Sequence, residues 1–398
     1  MELLQKRIVP IHIVFVEGYY PRASGRIGGA GTYIQNICRE LTYLGHKVSV
    51  ICAKMDNNRL TYFKDGLIHV YPIMDSKPSI LIYYISRVPI IKIFSGFLFY
   101  LHNGLKIHLF LLKLNRKIKI DFVEYSEGGD FWNTITKYFK YSSHLHGSFF
   151  TFKHQSGQRI SRAEWIRRRV EHFFIRRSHT VISPSRAMVR YVEKEMNVKL
   201  KNSNVIPYPV EFFLQNSLSL VLNKNDKVII FFASRNDPVK GGDLFIRALK
   251  QIPNDLKSRI YVEIYGFKPE QDIGGLDFIK LKQFIPRDDL VEEYKRADIC
   301  VITSLFDNSP NTVYEAMALG KVVVASSVGG IPEIIGSKEN GFLFNPKDVN
   351  DLVEKLEGAI KLVLKGECQF MRINARQRIN TISNLSINVE QRLNLIQL

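Results

Sequence analysis

Short apolar runs alternate with amphipathic stretches along the whole chain. The runs in the first half predict strands at 11–16, 48–53, 67–71, 122–125, 143–146 and 180–183. Those in the second half predict strands at 228–233, 261–265, 300–303 and 322–325. Residues 32–44 carry apolar side chains at helical spacing, and Gly45 ends this predicted helix. A strand, a helix and a second strand in this order indicate parallel sheets covered by helices.

The length of the chain suits two domains. At 398 residues it is longer than a single compact core usually allows. Pro207 and Pro209 fall in a stretch at 202–222 that we predict as the linker. We therefore predict an N-terminal domain at 1–205 and a C-terminal domain at 206–384, ahead of the last stretch of the chain.

Composition indicates a folded protein of a reducing compartment. The four cysteines are scattered and form neither a CxxC pair nor a zinc-binding spacing, so we expect buried thiols. The first residues lack the apolar core of a signal peptide. The most apolar region, 80–101, is interrupted by Arg87 and Lys92, which leaves too short a run to span a membrane. We expect a cytoplasmic protein.

Positive charge is concentrated in the first half. Residues 1–205 hold 32 Lys and Arg against 14 Asp and Glu, whereas 206–398 hold 24 of each class. No helix-turn-helix, zinc-finger or RNP signature supports a nucleic-acid partner. Basic clusters beside apolar residues at 113–119 and 165–177 fit weak, peripheral contact with an anionic membrane. The alternative is a pair of solvated helices whose apolar stripes pack on their own domain.

The most informative stretch, 299–326, is predicted as a strand, a helix and a strand. Ser309 suits the N-cap of the helix and Pro310 its first position, while Gly320 closes it. The start of this helix faces the carboxyl edge of a parallel sheet, where free N–H groups and the helix dipole bind phosphate. We expect the N–H groups of Asn311 and Thr312 to bind phosphate or sugar.

Two acidic residues flank this helix start. Asp307 and Glu315, followed by Ala-Met-Ala-Leu-Gly and by Gly-Gly-Ile-Pro-Glu at 329–333, resemble the Glu-x7-Glu motif of retaining glycosyltransferases of family 4. The resemblance implies that Glu315 accepts hydrogen bonds from the donor ribose and Asp307 from the donor sugar. Asp307 is one methylene shorter than the family's Glu. Otherwise, Glu315 is a solvated mid-helix residue and Asp307 a capping acid.

Further motifs follow in the order of that family. Arg235 and Lys240-Gly-Gly lie past a predicted strand and resemble the segment that holds the donor diphosphate. Two cations there would stabilise charge on the leaving group. His146 resembles the family's His beside the donor sugar; a structural hydrogen-bonding His is the alternative.

The N-terminal glycines provide a weaker resemblance. Gly28, Gly29 and Gly31 resemble the family's glycine loop and would contact the donor; a flexible turn is the alternative. Besides these motifs, 181–185 and 206–211 match inter-domain landmarks of the family.

The resemblance implies a GT-B fold of two Rossmann-like domains facing across a cleft, with the helix at 385–398 crossing back to the first. It implies transfer of a hexose-type sugar, with retention and without metal or cofactor, from a nucleoside diphosphate to a hydroxyl. The acceptor would be a glycan or a lipid-linked molecule, and cell-envelope polysaccharide synthesis suits the basic domain.

Three other functions remain open from the sequence. A nucleotide-sugar epimerase shares the architecture, although we would expect more carboxylates and histidines beside the reacting sugar. A binding protein that has lost transfer would lack a diphosphate cation, yet Arg235 and Lys240 are both present. A basic nucleic-acid-binding protein would bind generic DNA in a salt-dependent way.

Overall fold

The computed structural model describes residues 9–21, 29–53, 61–75, 84, 89–127, 129–155, 157–210, 227–267, 273–283, 285–336 and 338–397. Gly28, part of the apolar region at 80–101 and most of the predicted linker therefore lie outside the described residues. The chain divides into two compact units, Met1–Pro209 with Leu385–Leu398, and Val210–Asn384.

The first unit is built on an eight-stranded sheet. Its strands are β1 (His12–Glu17), β2 (Lys47–Ala53), β3 (Phe63–Asp65), β4 (Ile68–Met74), β5 (Phe122–Ser126), β6 (Tyr141–His144), β7 (Thr180–Ser183) and β8 (Ser203–Val205). They lie in the order β3-β4-β2-β1-β5-β6-β7-β8, and every neighbouring pair is parallel except β3 with β4. All six residues of β1 are buried, as expected for a central strand of a parallel sheet.

Helices connect these strands. They are α1 (Gly29–Tyr43), α2 (Pro89–Lys117), α3 (Phe131–Thr136), α4 (Phe149–Gln155), α5 (Arg162–Ile175) and α6 (Arg186–Met196). The α2 helix packs on α3 and α5. The last helix, α14 (Leu385–Gln397), belongs to this unit and packs on α1.

The second unit is a six-stranded parallel sheet. Its strands are β9 (Val228–Ala233), β10 (Ile260–Tyr265), β11 (Ile279–Lys282), β12 (Ile299–Ile302), β13 (Val322–Ser326) and β14 (Phe342–Phe344), in the order β11-β10-β9-β12-β13-β14. The helices are α7 (Gly242–Gln251), α8 (Asn254–Lys257), α9 (Arg287–Arg296), α10 (Asn311–Ala318), α11 (Ile331–Ile335), α12 (Val349–Leu364) and α13 (Gln369–Ile382). Apolar side chains of β9, β10, β12, α7 and α12 form one continuous core.

Most predicted strands are confirmed to within a few residues. The linker prediction is wrong at its start, because Ser203–Val205 pairs with β7 as the last strand of the first sheet. The strand predicted at 143–146 ends at His144, which places His146 beyond the sheet. The four cysteines are free and buried, as expected. No helix within the described ranges combines the length and the apolar character needed to cross a membrane.

Candidate functional site

Two loops of the second unit are joined at the carboxyl edge of its sheet. They follow the neighbouring strands β9 and β12. The Thr303 hydroxyl donates to the Gly241 carbonyl at 2.8 Å, and the Leu305 N–H donates to the Val239 carbonyl at 2.7 Å. These hydrogen bonds hold the two loops together where each strand ends.

Gly241 makes this close approach possible, and Gly329, which follows β13, allows the same closeness to the loop that carries Asp307. Gly241 has φ 67°, and a Cβ there would lie 2.0 Å from the Thr303 carbonyl oxygen. Gly329 has φ 52°, and its Cβ would lie 1.8 Å from the Asp307 carbonyl oxygen. Both positions combine a left-handed conformation with backbone contact that no side chain allows. The loops therefore form a closely packed frame around the residues they carry.

An ion pair links the two loops. Lys240 ends a 3₁₀ turn (Pro238–Lys240), and its Nζ lies 2.6 Å from Oδ2 of Asp307. The Lys240 side chain is 25% exposed and that of Asp307 8%, so lysine is the more exposed partner of the pair. Asp307 Oδ2 also accepts from the Ser304 hydroxyl at 3.4 Å. The sequence analysis gave Asp307 either a donor-sugar contact or a helix-capping role, and it missed the ion pair with Lys240.

Arg235 lies in the same loop as Lys240. Its side chain is exposed, and none of the carboxylates that the structure describes forms an ion pair with it. The guanidinium is therefore available to an anionic ligand at this edge.

Two helices begin at the same edge without a side-chain cap. The α7 helix begins beside Gly241, and α10 begins after Pro310. The prediction that Ser309 caps α10 is wrong: Pro310 is the N-cap residue, with φ −72° and ψ 121°, and Asn311 and Thr312 are the first helical residues. The Ser309 hydroxyl lies instead 2.9 Å from that of Tyr314. Helix starts without a side-chain cap favour anions.

Glu315 is buried within α10. Only 6% of the residue is exposed, which excludes the alternative that it is a solvated mid-helix acid. A buried carboxylate requires hydrogen-bond donors, because removing its charge from water is costly. Its role with a donor ribose stays a prediction.

The first unit brings a second group of polar residues together. His146 follows β6; its Nδ1 is hydrogen-bonded to the Tyr208 hydroxyl, and its Nε2 lies 3.6 Å from Oε1 of Glu17. Glu17 ends β1, and burial raises the pKa of its carboxyl while His146 opposes that shift. The imidazole of His144 stacks on that of His146 at 3.9 Å.

A buried ion pair lies under this stack. Arg392 of α14 donates to Oε2 of Glu124 on β5 and to the Tyr33 hydroxyl, and both charged residues are fully buried. Although burial alone would raise it, the pKa of Glu124 falls to about 2 because Arg392 and His144 face the carboxylate. Burial, together with His146, lowers the pKa of His144 to about 3.

The ionised state of Glu124 determines the tautomer of His144. An ionised Glu124 only accepts hydrogen bonds, so His144 Nδ1, 3.0 Å from Oε1, carries the proton. Neutral His144 then adds no positive charge beneath His146. Glu124 itself lies inside β5, so the strand holds its carboxylate under His144.

The predicted glycine loop differs in the structure. Gly29 and Gly31 lie in the first turn of α1 rather than in a loop, and Gly28 is outside the described residues. A Cβ on Gly31 would meet Pro21 at 3.6 Å and the Tyr19 carbonyl oxygen at 3.8 Å, both ordinary contacts. Nothing at Gly31 therefore requires glycine for packing.

Glu127 gives a pH-dependent prediction. It accepts from the N–H of Gly147, next to His146, and burial raises its pKa to about 7 although Arg168 opposes the shift. The carboxyl binds a proton more tightly in the native state than in the unfolded chain, where its pKa is about 4.5. It therefore stabilises the fold fully below pH 4.5, and this stabilisation is lost as the pH rises through 7. The free energy of unfolding of Glu127→Gln, taken relative to wild type, should therefore be ~2 kcal/mol higher at pH 8 than at pH 5, with partial exposure of the side chain allowed for. Urea unfolding at both pH values measures this, and an equal difference at the two would contradict it.

The sequence patterns did not predict that the polar residues around His146 in the first unit lie together. Tyr33, Tyr208 and Arg392 come from distant parts of the chain and share no motif. Glu17 did carry a signal: it is an acid at the carboxyl end of an apolar run predicted as a strand. Within the described ranges, no three His, Cys, Asp or Glu side chains are grouped to hold a metal ion.

Two family models match the chain. The model described as "Glycosyl transferases group 1" matches residues 218–378, and that described as "Glycosyltransferase Family 4" matches 27–212.

Curated relatives match less than half of their own length. An uncharacterised glycosyltransferase of Methanocaldococcus jannaschii is 26% identical over 173 residues, which are 42% of this chain and 46% of the relative. A D-inositol 3-phosphate glycosyltransferase of Streptomyces scabiei is 29% identical over 139 residues, 31% of each protein.

Solved structures resemble the chain along almost its full length. A sucrose-phosphate synthase from Thermosynechococcus elongatus has a TM-score of 0.73 and 20% identity, covering 97% of this chain and 98% of its own. The Anabaena protein HepE in complex with UDP-glucose has a TM-score of 0.65 and 19% identity, covering 98% of this chain and 100% of its own. At these identities the likeness shows the fold, which is GT-B. From the two family models, the chain belongs to the group 1, family 4 glycosyltransferases.

Proposed function

We propose that the protein transfers a hexose-type sugar from a nucleoside diphosphate to a hydroxyl of a glycan or lipid-linked acceptor, with retention of configuration. The donor would bind the second unit, and the acceptor would bind mainly the basic first unit. Relatives bound to UDP-glucose, such as HepE, support a nucleotide-sugar donor.

The ion pair between Lys240 and Asp307 carries this proposal. Asp307 holds the ammonium at the carboxyl edge, between two loops joined by hydrogen bonds, and the exposed Arg235 belongs to the same loop as Lys240. Helix starts of α7 and α10 add N–H groups at the same edge. A diphosphate suits this combination, because it can accept from both cations and from backbone N–H groups.

The proposed reaction breaks the bond between the sugar and the diphosphate and forms a bond to the acceptor oxygen on the same face. A departing phosphate oxygen takes the proton of the acceptor hydroxyl. Lys240 and Arg235 stabilise the charge that grows on the diphosphate, so they act more strongly in the transition state than in the bound donor. The step needs no metal in this proposal. His146 would face the donor sugar.

The membrane contact and the biological role of the protein are also proposals. We expect weak peripheral contact of the first unit with the inner face of an anionic membrane, and a role in envelope polysaccharide synthesis. The excess of basic residues in 1–205 supports this contact.

A panel of nucleotide sugars tests the proposed function. The cognate donor should raise the melting temperature, since it binds only the native state. With an acceptor, NMR of the product should show the anomeric configuration of the donor. A converted sugar without any acceptor would favour an epimerase, and binding without turnover of either kind would favour a binding protein. Without a shift for any donor, the donor assignment fails.

A further inference from the structure

Basic residues precede the strands on one side of the first sheet. Lys117 and Lys119 come before β5, and Lys137 and Lys140 come before β6. All four are exposed. Each pair lies within five residues of the start of its strand, which places it at the amino edge of the sheet.

The same arrangement continues in the next two strands. Arg176 and Arg177 precede β7, and Lys199 and Lys201 precede β8, again all exposed. The strands β5, β6, β7 and β8 are successive parallel neighbours, so these pairs follow one another along the amino edge. We call these eight residues the basic edge.

Few acids neutralise the basic edge. Asp121 lies 3.5 Å from Lys119, and Glu193 lies 3.1 Å from Lys199. The other six residues form no ion pair with a carboxylate in the described part of the chain. Unpaired cations in a row produce a positive potential that attracts an anionic surface.

Arginines also line a cavity at this edge. The cavity measures about 170 Å³ and lies between the last turn of α5 and the end of α6. Its lining residues are Arg169, His172, Phe173, Arg176, Arg177 and Met196. The Arg177 guanidinium lies 3.9 Å from the centre of the Phe173 ring. Cationic and apolar walls together suit a phosphate ester that carries a hydrocarbon chain.

Part of the predicted basic cluster turns inward instead. Arg168 is buried, with Nη2 2.7 Å from Glu195 and Nη1 3.1 Å from Glu171.

Three apolar side chains near the basic edge are exposed: Ile118 by 38%, Ile135 by 57% and Tyr138 by 58%. Exposed isoleucine and tyrosine among cations are typical of a surface that enters the headgroup region of a bilayer.

We propose that the basic edge, with the cavity beside Phe173, binds the phosphate headgroups of an anionic lipid bilayer. His146 and Glu17 lie at the opposite, carboxyl edge of the same sheet, because Glu17 is the last residue of β1 and His146 follows the end of β6. Strands of four to six residues separate the two edges by roughly 13–20 Å. The first unit would therefore bind the membrane with its candidate site directed away from the bilayer surface.

The apolar residues favour lipid over nucleic acid. Binding to a phosphate backbone needs cations and polar groups, whereas Ile118 and Ile135 gain nothing from that contact. Both would lose exposed apolar surface at the boundary between headgroups and acyl chains. The inference rests on the membrane contact included in the proposed function, but it is testable without donor or acceptor.

Vesicle sedimentation with the full chain tests the proposal. The test variant carries Lys137→Gln, Lys140→Gln, Arg176→Gln and Arg177→Gln. The matched control removes the same charge from exposed residues away from this edge: Arg39→Gln, Lys64→Gln, Arg162→Gln and Arg190→Gln. The probes are phosphatidylglycerol vesicles, phosphatidylcholine vesicles and generic duplex DNA.

We expect wild type and control to bind phosphatidylglycerol vesicles alike. The test variant should bind them at least on the order of 10²-fold more weakly, because each charge removed should weaken the binding about fivefold. Tyr138→Ala should weaken the binding that remains at high salt, where charge is screened. Equal losses in both quadruple variants, no binding to either vesicle, or tighter binding to DNA than to vesicles would overturn the proposal. Donor-induced melting shifts, measured in parallel, should be unchanged in the test variant and report on the proposed function separately.

Discussion

Replacing Lys240 by alanine should lower the rate of sugar transfer about 10²-fold or more. The Nζ atom is held 2.6 Å from Asp307 at the carboxyl edge, between loops that glycines bring into backbone contact. A preorganised charge of this kind stabilises a leaving group without reorganisation during the reaction. Steady-state kinetics with saturating acceptor measure the effect.

The loss should fall mainly on kcat rather than on donor affinity. Negative charge on the diphosphate grows as the glycosidic bond breaks, so the missing cation matters most in the transition state. Lys280→Ala removes an exposed cation from β11 of the same unit and should leave kcat unchanged. An unaltered kcat in Lys240→Ala would refute the leaving-group role of the ammonium.

Replacing Arg392 by methionine should destabilise the first unit by about 3–5 kcal/mol, because it leaves the Glu124 carboxylate buried without its cation. For a unit of this size, that loss corresponds to a melting temperature roughly 10 °C lower. Differential scanning calorimetry at pH 7, where Glu124 is ionised in the native protein, measures the change.

A second substitution separates the charge from the lost packing. Arg392→Met combined with Glu124→Gln removes both charges and should recover part of the stability, since a neutral amide is less costly to bury than an unpaired carboxylate. Gln391→Met, on an exposed neighbour in α14, should change little. If the double variant were no more stable than Arg392→Met, the unpaired charge would not explain the loss.

Elements with a strong local signal were predictable. The strands Thr180–Ser183 and Val228–Ala233 agree with their predicted bounds, because each consists mainly of apolar or β-branched residues. Gly320 follows α10 with φ 62°, as a residue closing a helix should. The start of α10 was misplaced by one residue, because Ser309 and Pro310 both fit a helix start and the Ser309 hydroxyl is hydrogen-bonded to the Tyr314 side chain instead of capping the helix.

Buried polar groups were the least predictable part of the site. Glu124 and Arg392 are separated by 268 positions, and neither belongs to a motif that links them. Arg168 lies in a run of arginines that resembles a solvated surface, yet its carboxylate partners lie on α5 and α6. Periodicity shows which face of an element is apolar, but only tertiary structure shows which charged side chains meet inside it.

A crystal structure of the full chain with an intact nucleoside-diphosphate-sugar would show whether the donor binds at the carboxyl edge of the second sheet. We expect diphosphate oxygens within hydrogen-bond distance of Lys240 and Arg235, and ribose hydroxyls on the Glu315 carboxylate. A donor bound elsewhere, or one whose diphosphate contacts neither cation while Glu315 faces away from the ribose, would refute the proposed donor site.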